Sequence, residues 1–216
     1  MRSNGVRRAF ARWLPPFAVC VTASMTVGGL LGASAWANGD PGVSTHLLRD
    51  ADVGPKYRLI DTPDNGAAVG IGDHVCRVRL PSGPLAWNVF GPRKSSVYIR
   101  IVSMVTRSTA RDGETFLNEL RAAVTSRKTC YGGDGSWKIV TSPGPDPQIG
   151  DQSVQVTFLN DIHGDSWYTD EILFRRGDFV GLVITEVSRP NRRLNTPELA
   201  KKLAIRISLA TPDSFR

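Results

Sequence analysis

The sequence predicts a two-layer α+β domain, a mainly antiparallel sheet with helices packed on one face. Three observations lead there. Between Gln148 and Ser188, three strand-like segments are separated only by two short turn signals, Asp161-Ile162-His163-Gly164-Asp165 and Arg175-Arg176-Gly177-Asp178, the pattern of an antiparallel meander. Two other stretches, opening near Asp112 and at Thr196, carry apolar residues at helical spacing and need an apolar surface to lie on. The order of elements, strands in runs and helices between the runs, favours an antiparallel sheet over a parallel, doubly wound one.

The fold is expected to begin after a segment that does not belong to it. Residues 1–37 hold Arg2, Arg7, Arg8 and Arg12 and no acidic residue, then an apolar segment from about Leu14 to Leu31, then Ala35-Trp36-Ala37. A basic start, an apolar centre and an A-x-A site make an export signal with cleavage expected after Ala37. Retention as a membrane anchor is disfavoured by Pro15, Pro16, Gly28, Gly29 and Gly32, which interrupt the apolar segment. The signal peptide is therefore expected to contact the membrane only during export. Arg7-Arg8 before Ala9-Phe10 partly matches the twin-arginine motif, with Val6 where Ser or Thr is usual, so both that route and the general secretory route fit.

Residues 38–45 are small and polar and predict a flexible leader, so that a single domain spans 46–216. Ser44 or Thr45 can cap a short helix with Leu47, Leu48 and Ala51, ended by Gly54-Pro55. Tyr57 to Ile60 is a first strand. Val75 to Leu80 alternates, with Cys76, Val78 and Leu80 on one side and Arg77 and Arg79 on the other, which predicts one half-buried strand with the cysteine facing the core. Pro81 to Pro84 breaks the chain before a short apolar piece at Leu85 to Phe90. Val97 to Thr106 is rich in β-branched residues and predicts a strand.

Asp112 offers an N-cap for a helix whose one face carries Phe116, Leu120, Ala123, Val124 and Cys130. Trp137 to Thr141 predicts another strand and Ser142 to Pro147 a loop. In the meander, Val154, Val156 and Phe158 alternate with polar residues, and Ile172 and Phe174 continue the pattern. Phe179 to Val187 is apolar on both faces up to Thr185, as for a central or doubly covered strand. Thr196-Pro197 opens the last helix, with Leu199, Leu203 and Ile207 on its buried stripe.

The net charge of +7 is partly an export feature. Four of the 27 basic residues lie in the signal, and all 20 acidic ones lie beyond it, leaving 23 basic residues in the mature chain. That balance does not point to nucleic acid. The mature chain keeps two cysteines, Cys76 and Cys130. In an exported protein an isolated pair is most simply a disulfide, the alternative being two separate buried thiols. An unstrained bond closing so long a loop would stabilise the fold by about 4 kcal/mol.

Leu47-Leu48 with Ala51-Asp52 and Tyr57, Cys76 before the central helix and Cys130 at its end, Gly150-Asp151-Gln152-Ser153, and Phe174 to Phe179 together resemble actinobacterial secreted sensor-type domains. That group is similar to the extracellular sensor domain of mycobacterial serine/threonine protein kinases and to related envelope lipoproteins. The resemblance covers most of residues 44–210 and implies a sheet with helices packed on it and a cleft for an unknown ligand. The kinase domain, its transmembrane helix and the kinase ectodomain's second disulfide have no counterpart here. The resemblance therefore implies ligand capture and not signalling through an attached kinase.

No motif commits the chain to a reaction. It holds no G-x-S-x-G elbow, H-E-x-x-H helix, phosphate-cradling glycine loop or dinucleotide fingerprint. Asp161, His163 and Asp165 stand at alternate positions, as metal ligands on an extended chain would, but they also read as an ordinary turn, and no metal or other cofactor is expected. Arg176-Gly177-Asp178 matches an adhesion tripeptide and equally reads as a hairpin turn. The residues expected to line a ligand cleft are Trp167, Tyr168, Asp170, Tyr98 and Arg100. Asp170 is the most informative of these, because strict alternation puts it beside Ile172 and Phe174. Either a bulge re-registers the strand or a carboxylate faces inward. The expected function is an exported ligand-binding or sensor-like module of the cell envelope, non-catalytic, with a small molecule or an envelope component as partner. A small secreted hydrolase with a dispersed site, or a structural envelope protein, is the alternative.

Overall fold

A computed structural model describes residues 41–61, 74–75, 78–94, 98–125, 140–143, 146–162, 165–188 and 194–210. In chain order the elements are α1 (Pro41–Ser44), α2 (Asp50–Val53), β1 (Tyr57–Asp61), β2 (His74–Val75), β3 (Val78–Arg79), β4 (Leu85–Pro92), β5 (Ile99–Arg107), α3 (Ala110–Thr125), β6 (Val140–Pro143), β7 (Gln152–Ile162), β8 (Asp165–Arg176), β9 (Phe179–Val187) and α4 (Thr196–Ala210). Seven strands form one sheet in the order β1-β4-β5-β9-β8-β7-β6, with every neighbouring pair antiparallel. The expected meander is the consecutive run β7, β8 and β9. The strand that reads as apolar on both faces, β9, is the middle strand of the seven.

The helices pack against the sheet as expected of an α+β domain, but they do not share one face. Val102 and Met104 of β5 and Val180, Leu182 and Ile184 of β9 meet Phe116, Leu117, Leu120 and Val124 of α3. The intervening residues, Ile101, Val105, Phe179 and Val183, meet Leu199, Ala200, Leu203 and Ile207 of α4, with Val43, Leu47, Leu48 and Val53 beside them. The sheet is thus a middle layer. The physical reason lies in β9: seven consecutive residues from Phe179 to Thr185 are buried, and a strand without a polar face needs a cover on each side. Burying a Leu or Phe side chain contributes about 1.5–3 kcal/mol, so each face carries a substantial core of its own.

The start of the domain also differs from expectation. Residues 41–45 are not a free leader, because Val43 is 1% exposed and belongs to the α4-side core. The expected helix through Leu47, Leu48 and Ala51 forms only at its end: α1 stops at Ser44, Leu47 and Leu48 lie between the two short helices, and only Ala51 is helical, in α2. The sheet takes over the backbone of Leu48: its N–H donates to Ser103 Oγ at 3.1 Å, and its carbonyl accepts from Asn88 Nδ2 at 3.1 Å. Groups engaged in this way are not available to a continuous helix. Gly54 then ends α2 with a positive φ of 90°.

The single strand expected over Val75 to Leu80 is a hairpin. β2 and β3 pair antiparallel, Val75 opposite Val78, so the chain reverses between them. Alternation over six residues cannot distinguish one strand from two short ones around a turn. Helix α3 starts earlier than Asp112. Thr109 is the cap: its Oγ1 accepts from the Asp112 N–H at 3.1 Å and donates to the Asp112 carboxylate at 2.8 Å. The export signal, Cys76 and Cys130 lie outside the described residues, as do Trp137 and His163.

Two glycines are required by the meander. Between β8 and β9, Gly177 has a φ of 57° at the first central position of a two-residue turn, where a type II′ hairpin calls for glycine. Gly181 lies opposite Phe174, and a Cβ there would come within 2.4 Å of the Phe174 ring. The ring occupies the space that a side chain at 181 would need.

Candidate functional site

A central strand covered on both faces has no cheap place for a charge, so ionisable side chains on β5, β9 and β8 mark the positions where the fold accepts a cost. Arg107, Arg175 and Arg176 stand at the end beside the β8–β9 turn, and at the other end such side chains form two rows, one on each face. Alternation along β8 sends consecutive residues to opposite sides, and the sheet therefore divides the five expected cleft residues. Tyr168 and Asp170 stand on the α4 face, in register with Val187 and Thr185. Tyr98 and Arg100 belong with Glu186 on the α3 face. Trp167 pairs with Asn160 in the β7–β8 ladder, and its side chain lies outside what is described. A single cleft holding all five does not form.

The α4-face row is internally satisfied. The pairing of β8 with β7 and β9 runs without a register shift through Asp170, so no bulge intervenes and the carboxylate faces inward with Ile172 and Phe174. Asp170 is 9% exposed and accepts from Thr157 Oγ1 at 2.8 Å, on the adjoining strand. Thr185, opposite Asp170, shares a 2.6 Å hydrogen bond with Thr196 at the start of α4. The second bond ties the sheet to α4, and Asp170 and Thr185 each have a structural partner.

The α3-face row is not satisfied. Arg100 on β5, Glu186 on β9 and Thr169 on β8 lie in line across three strands. Arg100 Nη1 and Tyr98 Oη both donate to Glu186 Oε2, each at 3.3 Å. The Tyr98 phenol is raised above its ordinary value, mainly by burial and then by the Glu186 charge. Next along β8 from Thr169 on this face is Glu171, in register with Ile184 and Val156. Its Oε2 is closed to solvent and has no hydrogen-bond partner, although the residue as a whole keeps part of its surface in solvent. Burial, with the Glu186 carboxylate adding to it, pushes the Glu171 carboxyl up to about 8.

The residue that sequence reasoning missed is thus the neighbour of the one it chose. Glu171 could have been found: if β9 is buried on both faces, the strand beside it is too, and both Asp170 and Glu171 must then face a packed layer. A carboxyl that is neutral near pH 7, beside a second carboxylate and a guanidinium, can donate a hydrogen bond, take up a cation in exchange for its proton, or act as an acid.

The tripeptide candidate resolves as structure, whereas the Nδ1 of the buried His46, like Glu171 Oε2, has no hydrogen-bond partner. The Arg176-Gly177-Asp178 turn is held from within, with the Gly177 N–H donating to Asp151 Oδ2 at 2.8 Å and Arg175 and Arg176 pairing with the same carboxylate at 3.3 and 3.2 Å. His46 is 3% exposed, its ring 4.7 Å from that of Phe179. Among the described residues, no group of three or more His, Cys, Asp or Glu is placed to hold a metal ion. No described helix is long and apolar enough to cross a membrane.

Fold and site together define an antiparallel α+β domain, covered on both faces, with an ionisable row across its central strands. Compared with known proteins, the chain matches no family model, and no curated protein matches it.

Proposed function

We propose that the chain is an exported ligand-binding or sensor-like module of the bacterial cell envelope, without catalytic activity, and that its ligand is read by Tyr98, Arg100, Glu171 and Glu186. The observation that carries this is the unpartnered Oε2 of Glu171 on a central strand. Leaving a buried polar atom without a partner costs about 1–3 kcal/mol, and such a cost on a strand next to the sheet's centre is explained if a ligand supplies the missing partner. The basic and apolar start of the chain supports export, and the resemblance of its turn and core residues to secreted sensor-type domains supports capture of a small molecule or envelope component.

Native mass spectrometry of the protein secreted by an actinobacterial host tests this reading. The expected result is a co-purifying small molecule that is released on denaturation and is lost in Glu171→Gln. Protein that emerges ligand-free and stays so after incubation with an envelope extract would overturn it.

The second reading is a small secreted hydrolase. A carboxyl that burial holds protonated to about pH 8, beside a second carboxyl group, is placed as a general acid would be, and Glu171 would be the acid. Glu186 is already engaged by Arg100 and Tyr98, which favours binding. Turnover of chromogenic esters or glycosides that disappears in Glu171→Gln would favour the hydrolase.

A further inference from the structure

We infer that the ligand carries an ammonium group, held between Glu171 and Glu186, and that it binds by displacing a proton from Glu171. This rests on the ligand-binding reading above and specifies its chemistry. The charges on the row decide the sign. It offers two carboxyl groups and one guanidinium, and the guanidinium is already spent on Glu186 at 3.3 Å. An anionic ligand would have to pull Arg100 away from Glu186 while facing both carboxyl groups. A cation meets the opposite situation: Glu171 Oε2 has no donor, and a charged N–H donor is the partner that a buried carboxylate gains most from.

The row also selects among cations. A divalent metal is best held by more hard ligands than two carboxyl groups provide, and no group of three or more ligating side chains occurs among the described residues. An ammonium needs two or three oxygen acceptors and benefits from an aromatic face. Tyr98, bonded to Glu186 and 42% exposed, puts such a ring at the solvent side of the row.

The groups around Glu171 leave the proton as what must go. The row receives Arg100 from β5, Tyr98 from just before it, and Glu186 from β9. Its register partners on β7 and β9, Val156 and Ile184, are apolar. The buried side chains of α3 nearby, Phe116, Leu117, Leu120 and Val124, are apolar too, and Arg121 is turned to the Ser153 carbonyl at 3.0 Å. No described cation faces Glu171 directly, so below about pH 8 the carboxyl carries its proton. Binding an ammonium releases that proton to solvent.

The test uses three probes of one length, n-butylammonium, butyrate and butyramide, followed by nuclear magnetic resonance of protein with 13C-labelled glutamate carboxyls. The expected result is saturable binding of n-butylammonium alone, with affinity rising about tenfold from pH 6 to pH 7 and levelling above about pH 8. Glu171→Gln, checked for folding by its amide spectrum, loses the pH dependence and at least tenfold of the affinity, while Glu171→Asp keeps the dependence. Saturation by butyrate or butyramide without n-butylammonium leaves the binding reading standing and overturns the ammonium. If none of the three perturbs the row, both fall.

Discussion

Glu171 and Glu186 stand on neighbouring strands and face the same side of the sheet, yet only Glu186 has a cation within reach, Arg100 Nη1 at 3.3 Å. Burial therefore falls on Glu171 without compensation, and its carboxyl is held near 8.

That difference makes the stability of the ligand-free protein depend on pH. The folded state holds the Glu171 proton above the 4.5 at which the unfolded chain releases it. Between these values the folded state binds more protons, so stability falls as pH rises, by up to roughly 1.4 kcal/mol per pH unit for this one group. Urea unfolding at pH 5.5 and pH 8 measures it. Glu171→Gln, which cannot ionise, flattens the dependence and is the more stable variant at pH 8.

Glu186 raises the Tyr98 phenol as well as Glu171. Glu186→Gln is therefore expected to lower both midpoints. Tyrosinate absorbance during a pH titration reads the first and carboxyl resonances read the second, and an unchanged pair would mean that the two carboxyl groups do not communicate.

The space under Phe174 gives a packing test. A methyl at position 181 collides with the ring, and overpacking of this kind costs about 1–3 kcal/mol. Gly181→Ala is expected to unfold at lower denaturant by that amount, and Phe174→Leu in the same chain recovers part of it. Additive effects would show that the two positions do not compete for space.

At the start of α3, Thr109 and Asp112 cap one another. Thr109→Ala is expected to cost about 1 kcal/mol by loss of the cap, and Thr109→Asn, which keeps an acceptor, much less. Equal losses in both would assign the effect to something other than the cap.

Cys76 and Cys130 remain a prediction from the sequence alone. Non-reduced mass spectrometry of exported protein is expected to give a mass two hydrogens below that of the reduced chain, and two free thiols would refute the bond.

The sequence by itself determined most of the local structure: the meander and its Gly177 turn, the strands at Tyr57 and Ile99, the apolar stripes of α3 and α4, and the class of sheet they build. Each rests on short-range rules, a period of two or 3.6 and a turn residue that the backbone requires. Tertiary structure alone decided which helix lies on which face, that Leu48 gives its backbone to Ser103 and Asn88, and that Val75 and Val78 pair across a reversal. It also decided the site. Asp170 and Glu171 are adjacent acids in one strand, indistinguishable by composition; pleating sends one to the α4 face, where Thr157 meets it, and the other to the α3 face, where its Oε2 meets no donor. Whether a buried charge finds a partner depends on strands and helices distant in the chain, and no local pattern carries that information.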